Sequence, residues 1–221
     1  MSGSGAPEAA RGARGAVVGR RIAIGIMHSG WRPRALGTWR VPAAGPVILA
    51  GNHAHNVDGP LIMATSPRPV RFLVKKEAFV GPVATYLRAI GQLRVDRDGT
   101  DRAAVGEALA VLADGGVLGI FPEGSRGEGD FAALRAGLAY FALRSAAPIV
   151  PVAVLGSNEA RGRLIPGFPP LRRRIDVVYG DPFTPAAAGG RRTRAALDEA
   201  TLAIQERLAA HLKEARRLTG R

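Results

Sequence analysis

The feature that most constrains the fold is the alternation of short apolar runs with stretches of helical spacing. Val47–Gly51, Val70–Val74, Val117–Phe121, Ile149–Leu155 and Ile175–Tyr179 are brief apolar runs bounded by Gly, Pro or polar residues. Such runs read as buried strands. Leu93–Val95 reads as a further brief strand, and Pro151 places its own run at a sheet edge or makes it irregular. Between the runs, Asp58–Thr65 reads as a helix, with Asp58 near its start and Pro60 in its first turn. Pro82–Ile90 reads as another, stopped by Gly91. Thr100 or Asp101 can cap a helix running to Asp114, where Gly115 and Gly116 end it. Residues 130–145 set Phe131, Leu134, Leu138 and Phe141 on one helical side, and Arg194–Leu218 forms a closing amphipathic helix. The alternation predicts an α/β layered domain: a mixed, largely parallel sheet flanked by helices.

A chain of 221 residues suffices for one sizeable core. With 47% hydrophobic and 22% charged residues it has a globular composition. It contains no cysteine, which excludes disulfides, a thiol nucleophile and thiolate metal sites. A formal net charge of +13 favours anionic partners: phospholipid surfaces, nucleic acids or phosphate-bearing substrates. Aromatic residues are 5% and no nucleic-acid-binding motif stands out, so no nucleic-acid partner is expected.

Residues 1–12, rich in Gly, Ser and Ala, are expected to be a disordered start. Residues 13–40 form a basic segment around the short apolar run Ile22–Met27, far below the ~20 residues of a membrane span. The run is also too short and too late in the chain for a cleaved signal peptide. The segment reads two ways. It is a basic interfacial stretch on anionic lipid, with Trp31 and Trp39 near the headgroups, or an ordinary soluble helix.

Three segments carry reactive groups. Asn52, His53 and Asp58 follow a buried strand and precede a helix. Five residues apart, His53 and Asp58 diverge on a regular helix and on a strand alike, so they meet only if the intervening residues turn back. Meeting would let Asp58 hold one ring nitrogen and leave the other as a base; otherwise Asp58 is a helix cap. In Phe121-Pro122-Glu123-Gly124-Ser125-Arg126, a Gly-rich turn carries Glu123 and Arg126, whose guanidinium suits a phosphate; the alternative is a plain turn with a surface ion pair. Arg94 and Arg97, three apart, face opposite ways on one strand.

These segments, with Val150-Pro151-Val152, resemble in order the four motif blocks of the glycerolipid acyltransferases, the family that includes the 1-acylglycerol-3-phosphate acyltransferases. Asn52, His53 and Asp58 match the first block, Gly91, Val95 and Arg97 the second, Phe121 through Arg126 the third, and the Val150 to Val152 stretch the fourth. The resemblance covers about residues 45–180 and implies a domain over 41–221 with a glycerol-3-phosphate acyltransferase-like fold. It implies transfer of a fatty acyl group from acyl-CoA or acyl carrier protein to the hydroxyl of lysophosphatidic acid in phospholipid biosynthesis. His53 would be the general base and Asp58 its orienting carboxylate; Arg97, Glu123, Gly124, Ser125 and Arg126 would bind the acceptor. No cofactor and no metal are implied, and the expected place is the cytoplasmic side of a membrane, peripheral, without a transmembrane span. Where many members carry Ser two residues after the histidine, this chain has His55, which leaves the acceptor open to another lyso-lipid or glycolipid. Non-catalytic membrane or nucleic-acid binding remains the rival class; it makes His53 dispensable.

Overall fold

Val47, Ile48, Leu49 and Ala50 are all buried, so the strand they form must be covered on both faces. The computed structural model describes residues 5–96, 99, 101–124, 129–158, 168–185 and 193–221, with the side chains of 5–10 left aside. Its elements run α1 Gly5–Gly30, β1 Arg32–Leu36, β2 Val47–Gly51, α2 Asp58–Thr65, β3 Val70–Lys75, α3 Gly81–Ala89, β4 Leu93–Val95, α4 Arg102–Ala113, β5 Val117–Ile120, α5 Gly137–Ser145, β6 Ile149–Leu155, β7 Arg174–Tyr179 and α6 Arg194–Thr219. The sheet order is β1-β7-β6-β2-β5-β3-β4. Every pairing is parallel except the antiparallel β6–β7. This is the mixed, largely parallel α/β sheet that the sequence predicts.

Alternation along β2 divides the core in two. Ile48 and Ala50 join the layer built by α4, α5 and α6. Val47 and Leu49 join the layer built by α1 and α2, with Ile90 beyond the end of α3. Helix α1 fits closely because it presents Gly15 and Gly19. A Cβ at Gly15 would lie against the carbonyl oxygen of Ala89, and one at Gly19 would stand 2.8 Å from the Ile90 Cβ.

Four expectations are corrected. Gly5–Gly12 belong to α1, where composition suggests disorder. Trp31 is buried and donates from its indole nitrogen to the Pro169 carbonyl at 3.2 Å, so it is a core residue, not a headgroup anchor. Trp39 is exposed. Strand β6 lies inside the sheet, so of the two readings of Pro151 the edge is overturned and the irregular strand holds. Ile48 N donates to Pro148 O and Asn52 N to Val152 O, so the even residues of β6 face β2 and the Pro151 nitrogen faces β7. There the pairing slips by one residue between Ile149–Phe183 and Val152–Tyr179, and a bulge tolerates the missing N–H. Finally, the helix expected over 130–145 begins only at Gly137. Phe131 takes φ 61° to bury its ring, and Gln205 of α6 donates to the Phe131 and Ala132 carbonyls, which removes them from any helix. Among the described residues no helix is long and apolar enough to cross a membrane.

Candidate active site

The carboxyl ends of β2 and β5 lie side by side and carry the two reactive loops. Asn52 prolongs β2 by side-chain bonding: its Oδ1 accepts from Val154 N at 2.7 Å and its Nδ2 donates to Val154 O at 3.1 Å. The loop then folds back, with Asp58 N donating to His55 O as α2 begins. Asp58 is fully buried, and its Oδ2 accepts from Ala54 N at 2.9 Å and His55 N at 2.6 Å, with His53 Nδ1 at 3.3 Å. The carboxylate only accepts, so the neutral ring carries its proton on Nδ1 and keeps Nε2 as an acceptor. The ring is fixed from one side by Phe121, stacked at 4.1 Å between centroids, and Phe121 is stacked in turn on Phe72 at 5.2 Å. Asp58 therefore closes the turn before α2 and meets the imidazole; it is not the cap of α2, whose N-cap position is Val57 without a side-chain bond.

Glu123 binds the second loop to the first. The backbone N–H groups of His53 and Phe131 both bond to its carboxylate, while burial pushes that carboxyl above its usual range. Its Oε1 is buried and has no hydrogen-bond partner among the described residues. Gly124 takes φ 75° with the Arg135 side chain where its Cβ would be, so a larger residue there would be strained. Ser125, Arg126 and Arg97 lie outside the described residues. Gly91 takes φ 71° with the Gly12 carbonyl where its Cβ would be, so it secures α1 rather than a ligand. Arg94 is exposed on β4.

Beside His53 opens a pocket of about 520 Å³, mostly apolar. Phe72 and Leu73 of β3 and Met63 of α2 line it, with Met27 of α1 and Val83 and Leu87 of α3 as further walls. Sequence reasoning misses these residues, because hydrophobic positions on three helices carry no mark of facing a cavity instead of one another. His55 stands on the other side of the loop, edge-on to Phe168 at 6.3 Å between centroids, and Phe168 stacks on Trp31.

A family model for acyltransferases matches residues 33–155, from β1 to the end of β6. The chain belongs to the acyltransferase family. Within that span lie the His53–Asp58 loop, the Glu123 loop and the neighbouring pocket wall of β3 and α3. This acyltransferase is 27% identical over 172 residues to a 1-acyl-sn-glycerol-3-phosphate acyltransferase of Bacillus subtilis, covering 77% of each chain. It is 30% identical over 142 residues to another from Borreliella burgdorferi, covering 62% of this chain and 57% of that one. Its fold is similar to that of the 1-acyl-sn-glycerophosphate acyltransferase PlsC from Thermotoga maritima, with a TM-score of 0.62 at 22% identity, over 90% of this chain and 78% of that one.

Proposed function

We propose that this acyltransferase moves a fatty acyl group from a thioester donor to the free hydroxyl of 1-acyl-sn-glycerol-3-phosphate, with His53 as general base. The observation that carries the reading is one side chain with two settings. His53 has Nδ1 turned to a buried carboxylate, and the same ring lines a large apolar pocket. In the reaction, Nε2 takes the proton from the acceptor hydroxyl while its oxygen attacks the thioester carbonyl carbon. The carbon–sulfur bond breaks, and the thiolate leaves as thiol with the proton from the imidazolium. An ester and a free thiol result, with charge and protons balanced. Asp58 favours the imidazolium that forms midway. The pocket suits the donor's alkyl chain, since an apolar lining takes methylenes out of water at about 0.8 kcal/mol each.

The four motifs support the acceptor assignment: Arg97 and Arg126 would hold the phosphate, and Glu123, Gly124 and Ser125 would shape the glycerol site. The interaction of Glu123 with the His53 backbone supports this reading. The donor thioester supplies the driving force, so the reaction as written needs no cofactor. The activity would be exercised at an anionic membrane surface, where the acceptor resides. The test pairs a palmitoyl thioester with lysophosphatidic acid and follows phosphatidic acid by mass spectrometry. His53→Ala should lower kcat by about 10²–10⁴-fold with an unchanged melting temperature. Normal turnover in that variant would remove His53 from the chemistry. A parallel panel of other lyso-lipids tests the acceptor, His55 being the residue that differs from the commoner pattern.

A further inference from the structure

Two helices form walls of the apolar pocket, and the two ends of one of them are held very unequally. From α1 come Ala23, Ile26 and Met27, and from α3 Val83, Tyr86 and Leu87. At the carboxyl end of α3 the helices touch. The Ala89 carbonyl lies against Gly15, the Ile90 Cβ against Gly19, and the Gly12 carbonyl against Gly91. The same end is tied to β3. Gln92 Oε1 accepts from Phe72 N at 2.9 Å, Gln92 Nε2 donates to Ile90 O at 3.1 Å, and Arg71 Nε donates to Gly91 O at 2.6 Å. One to two turns further along α1, the pocket stands between the helices.

The amino end of α3 lacks such ties. Val80, its N-cap residue, makes no side-chain capping bond and is 63% exposed. Gly81 takes φ 50° with no described atom within 4 Å of the place its Cβ would take. Within Gly81–Ala89 only Ala84 is buried, whereas α2, of similar length, buries Leu61, Ile62, Met63 and Ala64. Val83 and Tyr86 are half-exposed although they line the pocket. Swinging α3 outward would therefore give up little burial, while the same motion of α2 would bring four apolar side chains into water. Arg88 stands over the Phe79 ring at 5.9 Å and joins the segment before α3 to its last turn.

We infer that α3 is a movable wall: it turns about its carboxyl end, pinned at Ile90 to Gln92, and opens the pocket from the side to admit the donor's alkyl chain. This rests on the thioester reading above and adds the route by which the chain enters. End-on entry would draw each methylene in turn past the polar groups of His53, Asn56 and Lys75, which line the pocket at the ends of β2 and β3. Opening between the half-exposed Ile26 and Val83 lets the methylenes leave water together along an apolar seam. Closure then packs the chain against Val83, Tyr86 and Leu87, so an occupied pocket favours the closed position of α3. The motion is a hinge with one end fixed and one glycine free to absorb the change.

The chain has no cysteine, so an introduced thiol reports alone. Ala84→Cys puts one beneath α3, and Ala64→Cys puts one beneath α2 at the same depth. Both are titrated with a chromogenic disulfide reagent, with and without S-hexadecyl-coenzyme A, a thioether that cannot give up its chain. The Ala84→Cys thiol should react about tenfold faster than the Ala64→Cys thiol, and the thioether should slow it about fivefold. Hydrogen exchange on the unaltered protein repeats the comparison without any substitution. Residues 82–89 should exchange about tenfold faster than residues 59–65 and be slowed by the thioether. Equal rates in the two helices would make α3 a fixed wall. A faster α3 that the thioether does not slow would make its motion unrelated to the chain. Either result overturns the inference. Calorimetry with the same thioether separates the two failures: no binding sinks the thioester reading itself, whereas binding beside an unmoving α3 sinks the side entrance alone.

Discussion

Asp58 places one oxygen among three donors, and Glu123 serves two backbone N–H groups, one of them from His53 itself. The two carboxylates thus hold His53 by its ring and by its backbone. Glu123 does so at a cost in charge, because burial disfavours its ionised form. An acid whose carboxyl is raised in the folded state gives its full stabilisation below the unfolded value of about 4.3, and loses it as pH rises through the raised one. Glu123→Gln keeps an acceptor oxygen for both N–H groups and removes the charge. Its melting temperature should exceed that of the unaltered protein near neutrality, and the difference should vanish at about pH 4. An offset that does not change with pH would show that ionisation is not the cost. At this scale the His53–Asp58 pair was legible through the motif resemblance; their spacing alone says that they meet only if the loop turns back, and leaves a helix cap open. Trp31 was not legible. An aromatic residue in a basic segment suits an interface and a core equally, and its partner Pro169 lies 138 residues away.

The elements follow their sequence periods where burial is one-sided, and depart from them where a distant group intervenes. Residues 130–145 have helical spacing, yet the first half is drawn into a loop by Glu123 and Gln205. Pro151 signals an edge or an irregular strand, and the structure takes the second course with a bulge inside the sheet. β1 escaped notice because Arg32-Pro33-Arg34-Ala35-Leu36 has neither an apolar run nor clean alternation; it is a strand because β7 offers it an edge. Helix α6 depends on a similar long-range contact. His211 donates from Nε2 to the Val178 carbonyl at 3.0 Å, and burial lowers its affinity for a proton. Such a histidine leaves stability untouched above its unfolded value of about 6.5. As pH falls below that, the unfolded chain takes up a proton that the folded one refuses, and stability declines. The melting temperature of the unaltered protein should therefore fall more steeply between about pH 7.5 and pH 5.5 than that of His211→Gln. Parallel curves would remove His211 from the acid sensitivity.

At the scale of the molecule, one buried carboxylate gathers widely separated parts of the chain. Asp176 meets Arg34 of β1 at 2.6 Å and Arg221 beyond α6 at 3.0 Å, with Arg174 at 3.6 Å. Removing a buried partner leaves its companions uncompensated, so Asp176→Ala should lower the unfolding free energy by about 3 kcal/mol in urea titration. A loss below about 1 kcal/mol would mean that solvent already screens the cluster. The layered architecture was legible from the alternation of apolar runs, β1 excepted. The position of the basic segment was not, because its seat is made by small residues, and a glycine in a sequence does not say what fills the space beside it.

Helix α1 has a consequence for anyone who trims this chain. Its side chains Ala23, Ile26 and Met27 form part of the pocket wall, and β1 follows it directly as the outermost strand. Cutting at residue 40, as though everything before it were a detachable leader, would strip one wall from the pocket. It would also bare the flank of β7 to other chains. The same excision would thus loosen the hold on the alkyl chain proposed for the pocket and invite clumping, two symptoms easily mistaken for the loss of a membrane address.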